Sequence, residues 1–376
     1  MDNRTYQNRA IRFLFNTKRG ILESPAGSGK THIAASALAQ CIEKRKGKAA
    51  IEIMVHTCEQ VDQMKVACAR FPIIARNADL SIFCAASAPL GTSPDLLIID
   101  ECHRSASTSW SRKIKQAPSA IWGLSATPFG TDEYRNDKMI ELFGTRIHRI
   151  QREGLVDAGH LAHARVTWHT ISDPNVTVRI GILEQQLLEQ AKREKPYLFR
   201  GSEIAVDRQV KRIQWRAVMQ EGLYDNEPRN AIIVREANSR IQDGNHVIVL
   251  IGKVDHGELL AAQIDGAVLC NSKMGKRKRR EAIAGFRNGE IACLVATSLL
   301  EEGFDAPIAD CLIVASGGKS ERKAVQSTGR VLRPYDGKAH GVIVDFQDDF
   351  HPMISWHSEE RFNTYAELNY QQSDAQ

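Results

Sequence analysis

The sequence predicts an α/β protein with two tandem lobes, each built on a parallel sheet, and a helical connector between them. Short apolar runs of strand length alternate with amphipathic stretches through the first 130 residues. The same alternation returns after residue 245, whereas the segment between the two regions is charged and has a helical pattern. Strands that are apolar throughout are typical of parallel sheets, because helices cover both faces of such sheets.

The first lobe is expected to comprise residues 1–165. A stretch at 33–39 has the spacing of a helix that packs on the sheet. The predicted strands of this lobe lie at residues 51–55, 80–83, 96–99 and 120–124.

The helical connector is expected to comprise residues 166–229, because two stretches within it read as charged helices. The second lobe is expected to comprise residues 230–348. Residues 349–376 are polar with scattered aromatic side chains and are predicted to be a C-terminal tail. The predicted strands of the second lobe lie at residues 247–251, 267–270, 292–296, 311–315 and 342–346.

Composition limits the classes of protein to which the chain can belong. Its 376 residues carry a formal net charge of +5, and this mildly basic balance permits nucleic-acid binding without requiring it. None of the eight cysteines forms a CxxC pair, so we expect reduced core residues and no structural metal site. The polar start is unlike a signal peptide, and no apolar run reaches membrane-spanning length. We therefore expect a cytoplasmic protein without membrane association, in a prokaryotic cell or a phage-infected host.

A phosphate-binding loop is predicted between a short strand and the helix at 33–39. Glycines in such a loop let backbone N–H groups turn toward phosphate oxygens, and the helix N-terminus adds partial positive charge. Lys30 would reach the β- and γ-phosphates of a nucleotide, and Thr31 would bind Mg²⁺. A serine opens the loop where the usual pattern has glycine, and a small residue suffices there. The loop residues are Ser24, Pro25, Ala26, Gly27, Ser28, Gly29, Lys30 and Thr31.

Two acidic residues follow the apolar run at 96–99. A carboxylate at the end of a buried strand, here Asp100, is placed to hold Mg²⁺ together with Thr31. The next carboxylate, Glu101, is then predicted to polarise the attacking water as a general base.

Arginines in the second lobe are predicted to complete this site. The segment 326–333 contains Gln326, Arg330 and Arg333. Arginines that reach a γ-phosphate held by the first lobe would neutralise the charge that develops during cleavage. Hydrolysis would then depend on closure of the two lobes.

These motifs, in this order, resemble those of the superfamily 2 helicases and translocases of the DExH kind, over essentially the whole chain. The segments 302–305 and 326–333 look most like those of XPB-like repair helicases, phage UvsW-like helicases and restriction-enzyme motor subunits. The resemblance implies RecA-like lobes of the P-loop NTPase class, with ATP as the nucleotide and Mg²⁺ as its cofactor. It also implies that His103 and residues 125–127 relay the state of the nucleotide to the nucleic acid.

The resemblance assigns further roles in nucleotide binding. Gln7 would read the adenine edge, while Gly303 and Asp305 would contact the nucleotide from the second lobe. Gln326 would help to position the water or the γ-phosphate.

The implied activity is that of an ATP-dependent DNA helicase or translocase, which drives duplex unwinding, branch migration or strand remodelling. Two alternatives stay open: an ATP-dependent RNA helicase, and a nucleic-acid-binding assembly component with weak ATPase activity. A motor of this kind contacts mainly the nucleic-acid backbone, and a bare core often needs partner proteins for targeting. The basic run Lys276–Arg280 is either a phosphate-contacting patch or a solvated helix face.

Overall fold

The chain divides into two compact units, Met1–Leu161 and Ala162–Gln376. The protein is represented by a computed structural model. It describes residues 4–87, 93–107, 110–111, 114, 120–130, 132–271, 273–297, 306–317, 328, 338 and 340–375.

The first unit is built on a six-stranded sheet in the order β3-β2-β4-β5-β1-β6, and all of its paired strands are parallel. The strands are β1 Arg19–Glu23, β2 Ala49–Val55, β3 Ala78–Cys84, β4 Leu96–Asp100, β5 Ile121–Ser125 and β6 Ile147–Arg149. The helices are α1 Thr5–Phe15, α2 Lys30–Glu43, α3 Cys58–Ala69, α4 Pro72–Asn77, α5 Glu133–Phe143 and α6 Arg152–Asp157. Short 3₁₀ turns occupy Ala85–Ser87 and Cys102–Ala106.

Burial explains why the sequence predicts the central strands of this unit. Every residue of β4 and of β5 is buried, since helices cover both faces of the sheet between them. One apolar core contains Leu14 and Leu38, and a second, across the sheet, contains Ile99 and Phe143. Strands enclosed in this way have no solvent-facing positions, so they appear as continuous apolar runs.

The second unit is built on a seven-stranded parallel sheet in the order β13-β7-β12-β11-β8-β10-β9. The strands are β7 His163–Ile171, β8 His246–Leu250, β9 Ala267–Cys270, β10 Cys293–Ala296, β11 Ala309–Val314, β12 His340–Asp348 and β13 Gln371–Asp374. The helices are α7 Pro174–Glu194, α8 Glu203–Met219, α9 Glu227–Gln242, α10 Val254–Ala261, α11 Lys276–Arg287 and α12 Pro352–Glu367. The prediction of an α/β protein with two parallel sheets is confirmed.

The division of the chain differs from the predicted boundaries in two places. Residues 166–171, which the sequence placed in the connector, belong to β7, and this strand pairs with β12 along its whole length. The predicted tail contains α12, which packs on β12, and β13, which pairs with β7. Polar and apolar side chains alternate through most of β7, and all four residues of β13 are polar, so neither strand appears in the sequence as a continuous apolar run.

Buried ion pairs and hydrogen bonds hold the C-terminal helix α12 on the sheet. Arg361 on α12 donates two hydrogen bonds through Nε and Nη2 to the carboxylate of Asp345, at 2.9 Å each. Tyr365, one turn further along the helix, donates to the same carboxylate at 2.9 Å. A second buried pair joins Arg229 on α9 to Asp348, at 2.9 Å. Removing one partner would leave a buried charge uncompensated, so these pairs fix the two helices on β12.

Within the described ranges, no helix has both the length and the apolar character needed to cross a membrane.

Candidate nucleotide site

The loop between β1 and α2 has the backbone geometry that a phosphate cradle requires. Gly27 and Gly29 both have φ of +86°, in the left-handed region that side chains with a Cβ rarely adopt. Gly29 is also the N-cap of α2, whose first free N–H groups therefore point toward the loop. Ser24 N donates to Ser125 O at 2.9 Å, so the loop begins from a point anchored on β5.

Side chains within the loop hold this shape. Lys30 Nζ donates to Ser24 O at 3.1 Å, and its ammonium group therefore lies across the loop. Ser28 Oγ donates to Pro25 O at 2.7 Å, while Tyr6 OH donates to Ser28 O at 2.9 Å. The buried hydroxyls of Ser24 and Ser28 are hydrogen-bonded to each other. Serine at the first position, where the usual pattern has glycine, is thus accommodated by a partner inside the loop.

The structure brings Gln7 to the same loop. Gln7 lies on α1, is largely buried, and its Oε1 accepts a hydrogen bond from Arg4 N at 3.0 Å. A Cβ added to Gly29 would lie 3.0 Å from Gln7 Nε2. A side chain at position 29 is therefore disfavoured by the backbone φ and would crowd the amide of Gln7.

Asp100 ends β4 in a buried position whose electrostatics suit a cation. Burial and the neighbouring charge of Glu101 raise the pKa of Asp100 to about 7, although Lys30 partly opposes this. A buried carboxylate with too little positive charge around it is stabilised by a divalent cation.

The donor set is chemically consistent with Mg²⁺. Asp100 supplies a carboxylate, and Thr31 supplies a hydroxyl from the first turn of α2. Among the described residues, no cluster of three or more His, Cys, Asp or Glu side chains is arranged for a metal ion. Magnesium in phosphate-transfer sites is usually held by one or two protein oxygens together with substrate phosphates, so a dedicated cage is not expected.

Glu101 and His103 connect this carboxylate pair to β5. Glu101 has φ of 51° and ψ of 48°, a left-handed conformation that is unfavourable for a residue with a side chain. His103 Nδ1 lies 3.4 Å from Glu101 Oε2 and 3.0 Å from Ser125 Oγ. Ser125 Oγ also accepts a hydrogen bond from Thr127 N at 3.2 Å. A polar path therefore runs from the predicted general base to the Ser-Ala-Thr segment.

The predicted site residues of the second unit lie outside the described residues. These are Gly303, Asp305, Gln326, Arg330 and Arg333. Thr328, from the same motif as the arginines, is described and fully buried, and its Oγ1 lies 3.1 Å from Tyr370 OH. Sequence reasoning missed Tyr370, because nothing in the local pattern of the C-terminal segment indicates a partner 42 positions earlier.

Two family models match the chain. The model described as "Type III restriction enzyme, res subunit" matches residues 1–84 and 84–130. The model described as "Helicase conserved C-terminal domain" matches residues 215–335. Together they cover the phosphate loop, the acidic pair and the arginine-bearing segment, in the order that the sequence analysis predicted.

Relatives and solved structures agree with these models. The chain is 26% identical to the DNA 3'-5' translocase XPB2 of Sulfurisphaera tokodaii, over 89% of the chain and 80% of the relative. It is 22% identical to the DNA 3'-5' helicase XPB of Kineococcus radiotolerans, over 88% of the chain but only 57% of the relative. The Hef helicase domain of Pyrococcus furiosus has the same fold, with a TM-score of 0.57 and 17% identity over 96% of this chain and 98% of that one.

Proposed function

We propose that this chain, which belongs to the ATP-hydrolysing helicases of superfamily 2, is a DNA-stimulated motor that couples ATP hydrolysis to duplex unwinding, branch migration or strand remodelling. The observation that carries the proposal is the connected polar arrangement in the first unit. Asp100 and Glu101 stand at the end of a buried strand, and His103 lies within 3.4 Å of Glu101 and 3.0 Å of Ser125.

The phosphate loop binds the nucleotide in this proposal. The N–H groups at the start of α2 and the Lys30 ammonium group hold the phosphates, while Gln7 contacts the adenine. Thr31 and Asp100 hold Mg²⁺, which neutralises phosphate charge when it is bound. Lys30 leaves its contact with Ser24 O to reach the phosphates.

Glu101 acts as the general base. It accepts a proton from the attacking water, and its carboxylate lies 3.4 Å from His103 Nδ1. The polar path through His103 to Ser125 then couples the position of Glu101 to β5. In this way the state of the nucleotide is passed to the Ser-Ala-Thr segment and onward to bound nucleic acid.

Residues of the second unit complete the site. Gly303 and Asp305 contact the nucleotide, and Gln326 positions the water or the γ-phosphate. Arg330 and Arg333 stabilise the charge that develops on the γ-phosphate, so turnover requires both units.

DNA is the favoured substrate because the two relatives described above are both called DNA 3'-5' enzymes. The net charge of +5 is compatible with a motor that contacts mainly the nucleic-acid backbone. RNA is the alternative substrate, and a weakly active assembly component is a third possibility.

Steady-state ATPase activity of the full chain tests the proposal. Activity is measured alone, with single-stranded DNA, with duplex DNA and with RNA of matched length at low salt. We expect DNA to raise kcat severalfold or more and RNA to do less. Stimulation by RNA with no response to DNA would replace the DNA assignment by the RNA alternative. No stimulation by either, with weak basal turnover, would favour the assembly component.

A further inference from the structure

The second unit contains a cavity of about 450 Å³ that no step of the proposed reaction uses. It lies toward the amino ends of β7, β12 and β13, where each of these strands begins. Nucleotides bound to open parallel sheets normally lie at the opposite, carboxyl ends of the strands. Its polar lining consists of Arg165, Thr167, Arg240, His340, Gln371 and Ser373.

Strand register explains why these side chains converge. Arg165 on β7 is aligned with Gln371 on β13 on one side, and Thr167 is aligned with Ser373 in the next row. Because side chains two residues apart share a face of the sheet, all four belong to one face. The same face carries His340 on β12, which is aligned with His163.

Helix α9 closes one side of the cavity and supplies its second arginine. The middle of this helix packs its apolar side chains, including Ile233 and Ala237, into the core on this face. Its last turn carries Arg240, whose side chain is 21% exposed. The last turn of the helix therefore brings Arg240 into the lining together with the polar side chains of β7 and β13.

The lining is positively charged and has unused hydrogen-bond donors. Arg240 Nη2 contacts Glu236 Oε2 at 3.2 Å, but Arg240 Nε is buried without a hydrogen-bond partner among the described residues. Arg165 has neither an ion pair nor a hydrogen bond within the described part of the chain. The side chains that line the cavity include no carboxylate. Glu236, which lies beside the cavity, forms an ion pair with Arg240 and offsets the positive charge of that arginine.

The pKa of His340 is affected by the same positive charge. Burial, and after it the positive charges of Arg165 and Arg240, lower the pKa of His340. The neutral form of the imidazole is therefore favoured, and the two guanidinium groups supply the positive charge of the cavity.

We propose that this cavity binds a phosphate group, as inorganic phosphate or as the terminal monoester of a phosphorylated ligand. Guanidinium groups bind oxyanions through paired N–H donors, and the Thr167 and Ser373 hydroxyls and the Gln371 amide add neutral donors around them. The volume lies within the range of small-ligand pockets, about 300–1,000 Å³. The proposal does not depend on the ATPase assignment, since the phosphate loop belongs to the other unit.

Phosphate binding is measured on the full chain with Lys30→Ala, a change that weakens phosphate binding by the loop of the first unit. Isothermal titration with inorganic phosphate is expected to show one site per chain. Arg165→Ala in that background should weaken binding about tenfold or more, because a charge-assisted hydrogen bond is lost. Arg165 is exposed, so its removal should leave the fold intact. Arg235→Ala, an equally exposed change on α9, is the matched control and should leave the affinity unchanged.

Competition experiments with different ligands distinguish the possible sources of the phosphate group. AMP should compete with inorganic phosphate for the site, whereas adenosine should not. A short oligonucleotide with a 5′-phosphate should compete only if a nucleic-acid end is the source, and its unphosphorylated form should fail. Absence of phosphate binding in Lys30→Ala, or equal binding after Arg165→Ala, would overturn the proposal. Equal competition by both oligonucleotides would overturn it as well, because the backbone diester would then be the ligand.

Discussion

The hydroxyl groups of Thr328 and Tyr370 lie 3.1 Å apart in the interior of the second unit. Thr328 belongs to the segment that also contains Arg330, and Tyr370 immediately precedes β13. The Tyr370 ring stacks on that of Tyr365, with centroids 5.7 Å apart. Tyr365 in turn donates to Asp345, the buried partner of Arg361. The C-terminal segment therefore holds Thr328, the one described residue of the arginine-bearing segment, next to Tyr370.

Tyr370→Phe should reduce turnover, because it removes the contact between the hydroxyl groups of Tyr370 and Thr328. The change removes the hydroxyl that contacts Thr328, and a buried hydrogen bond is worth about 1 kcal/mol, while the ring stacking is kept. If the bond positions the predicted arginines, kcat for ATP should fall about fivefold with little change in KM. Tyr197→Phe is the matched control, because Tyr197 is 66% exposed in the same unit. A loss of thermal stability with unchanged kcat would show that the bond is structural only.

Glu101→Gln should bind ATP without turning it over. The amide keeps the shape of the side chain but cannot accept a proton from water, and loss of a general base typically costs about 10²–10⁴-fold in rate. Nucleotide affinity is measured with a fluorescent ATP analogue, and hydrolysis by phosphate release. Lys30→Ala provides the contrasting result, since it should impair binding as well as hydrolysis. Turnover near the native rate in Glu101→Gln would remove Glu101 from the role of base.

Arg330→Ala should retain ATP binding and lose hydrolysis. Arginines that neutralise the γ-phosphate in related chemistry contribute about 10³-fold or more to the rate. Single-turnover hydrolysis, measured with enzyme in excess, separates the chemical step from product release. Arg208→Ala, at an exposed position on α8, should have no such effect. Equal rates for Arg330→Ala and the native chain would show that the site is complete without Arg330.

Asp100→Asn should raise thermal stability at alkaline pH while abolishing ATPase activity. The pKa of Asp100 is raised from 3.8 to about 7, so the folded state holds a proton that the unfolded chain has released. The free energy of unfolding must then fall as pH rises through this interval. Without Mg²⁺ or nucleotide, the variant should melt above the native chain at pH 8, and the difference should shrink toward pH 5.

Asp95→Asn is a control in which the substitution should change the free energy of unfolding at pH 8 in the opposite direction. Hydrogen bonds from Ala50 N and from Arg45 lower the pKa of Asp95. Its carboxylate therefore stabilises the folded state above the unfolded pKa, and this contribution is lost as pH falls. Asp95→Asn should be less stable than the native chain at pH 8, although the effect is small because the pair is exposed. A native chain more stable than Asp100→Asn at pH 8 would contradict the account of Asp100.

Local sequence predicted the fold class and the phosphate loop because their signals are contiguous. The apolar run of β4 and the acids after it are adjacent in the chain, as are Gly27 and Gly29 in the loop. Strand β7 was not predicted, since polar residues such as Thr167 and His169 alternate with its apolar residues and interrupt any apolar run. The Thr328–Tyr370 contact joins residues 42 positions apart, and no periodic pattern encodes such a pairing.

The basic run that begins α11 offers a final test on the nucleic-acid side. Its residues occupy the first turns of the helix, where the helix dipole disfavours positive charge. Arg277 is 86% exposed and lies 3.6 Å from Glu281, a weak surface pair. The Arg277 charge is therefore exposed at an electrostatically unfavourable end of the helix. Contact with phosphates would relieve this repulsion.

Neutralising the run should weaken DNA binding if the helix contacts the backbone. Each phosphate contact that is lost should lower the slope of log affinity against log salt by about 1, while basal ATPase activity stays intact. Binding is measured by fluorescence anisotropy across a salt series, with residues 276–280 changed to glutamine. Replacing Arg277, Arg279 and Arg280 by lysine is the matched control, because it keeps the charge and should keep most of the slope. An unchanged slope in the glutamine variant would identify the run as a solvated helix face.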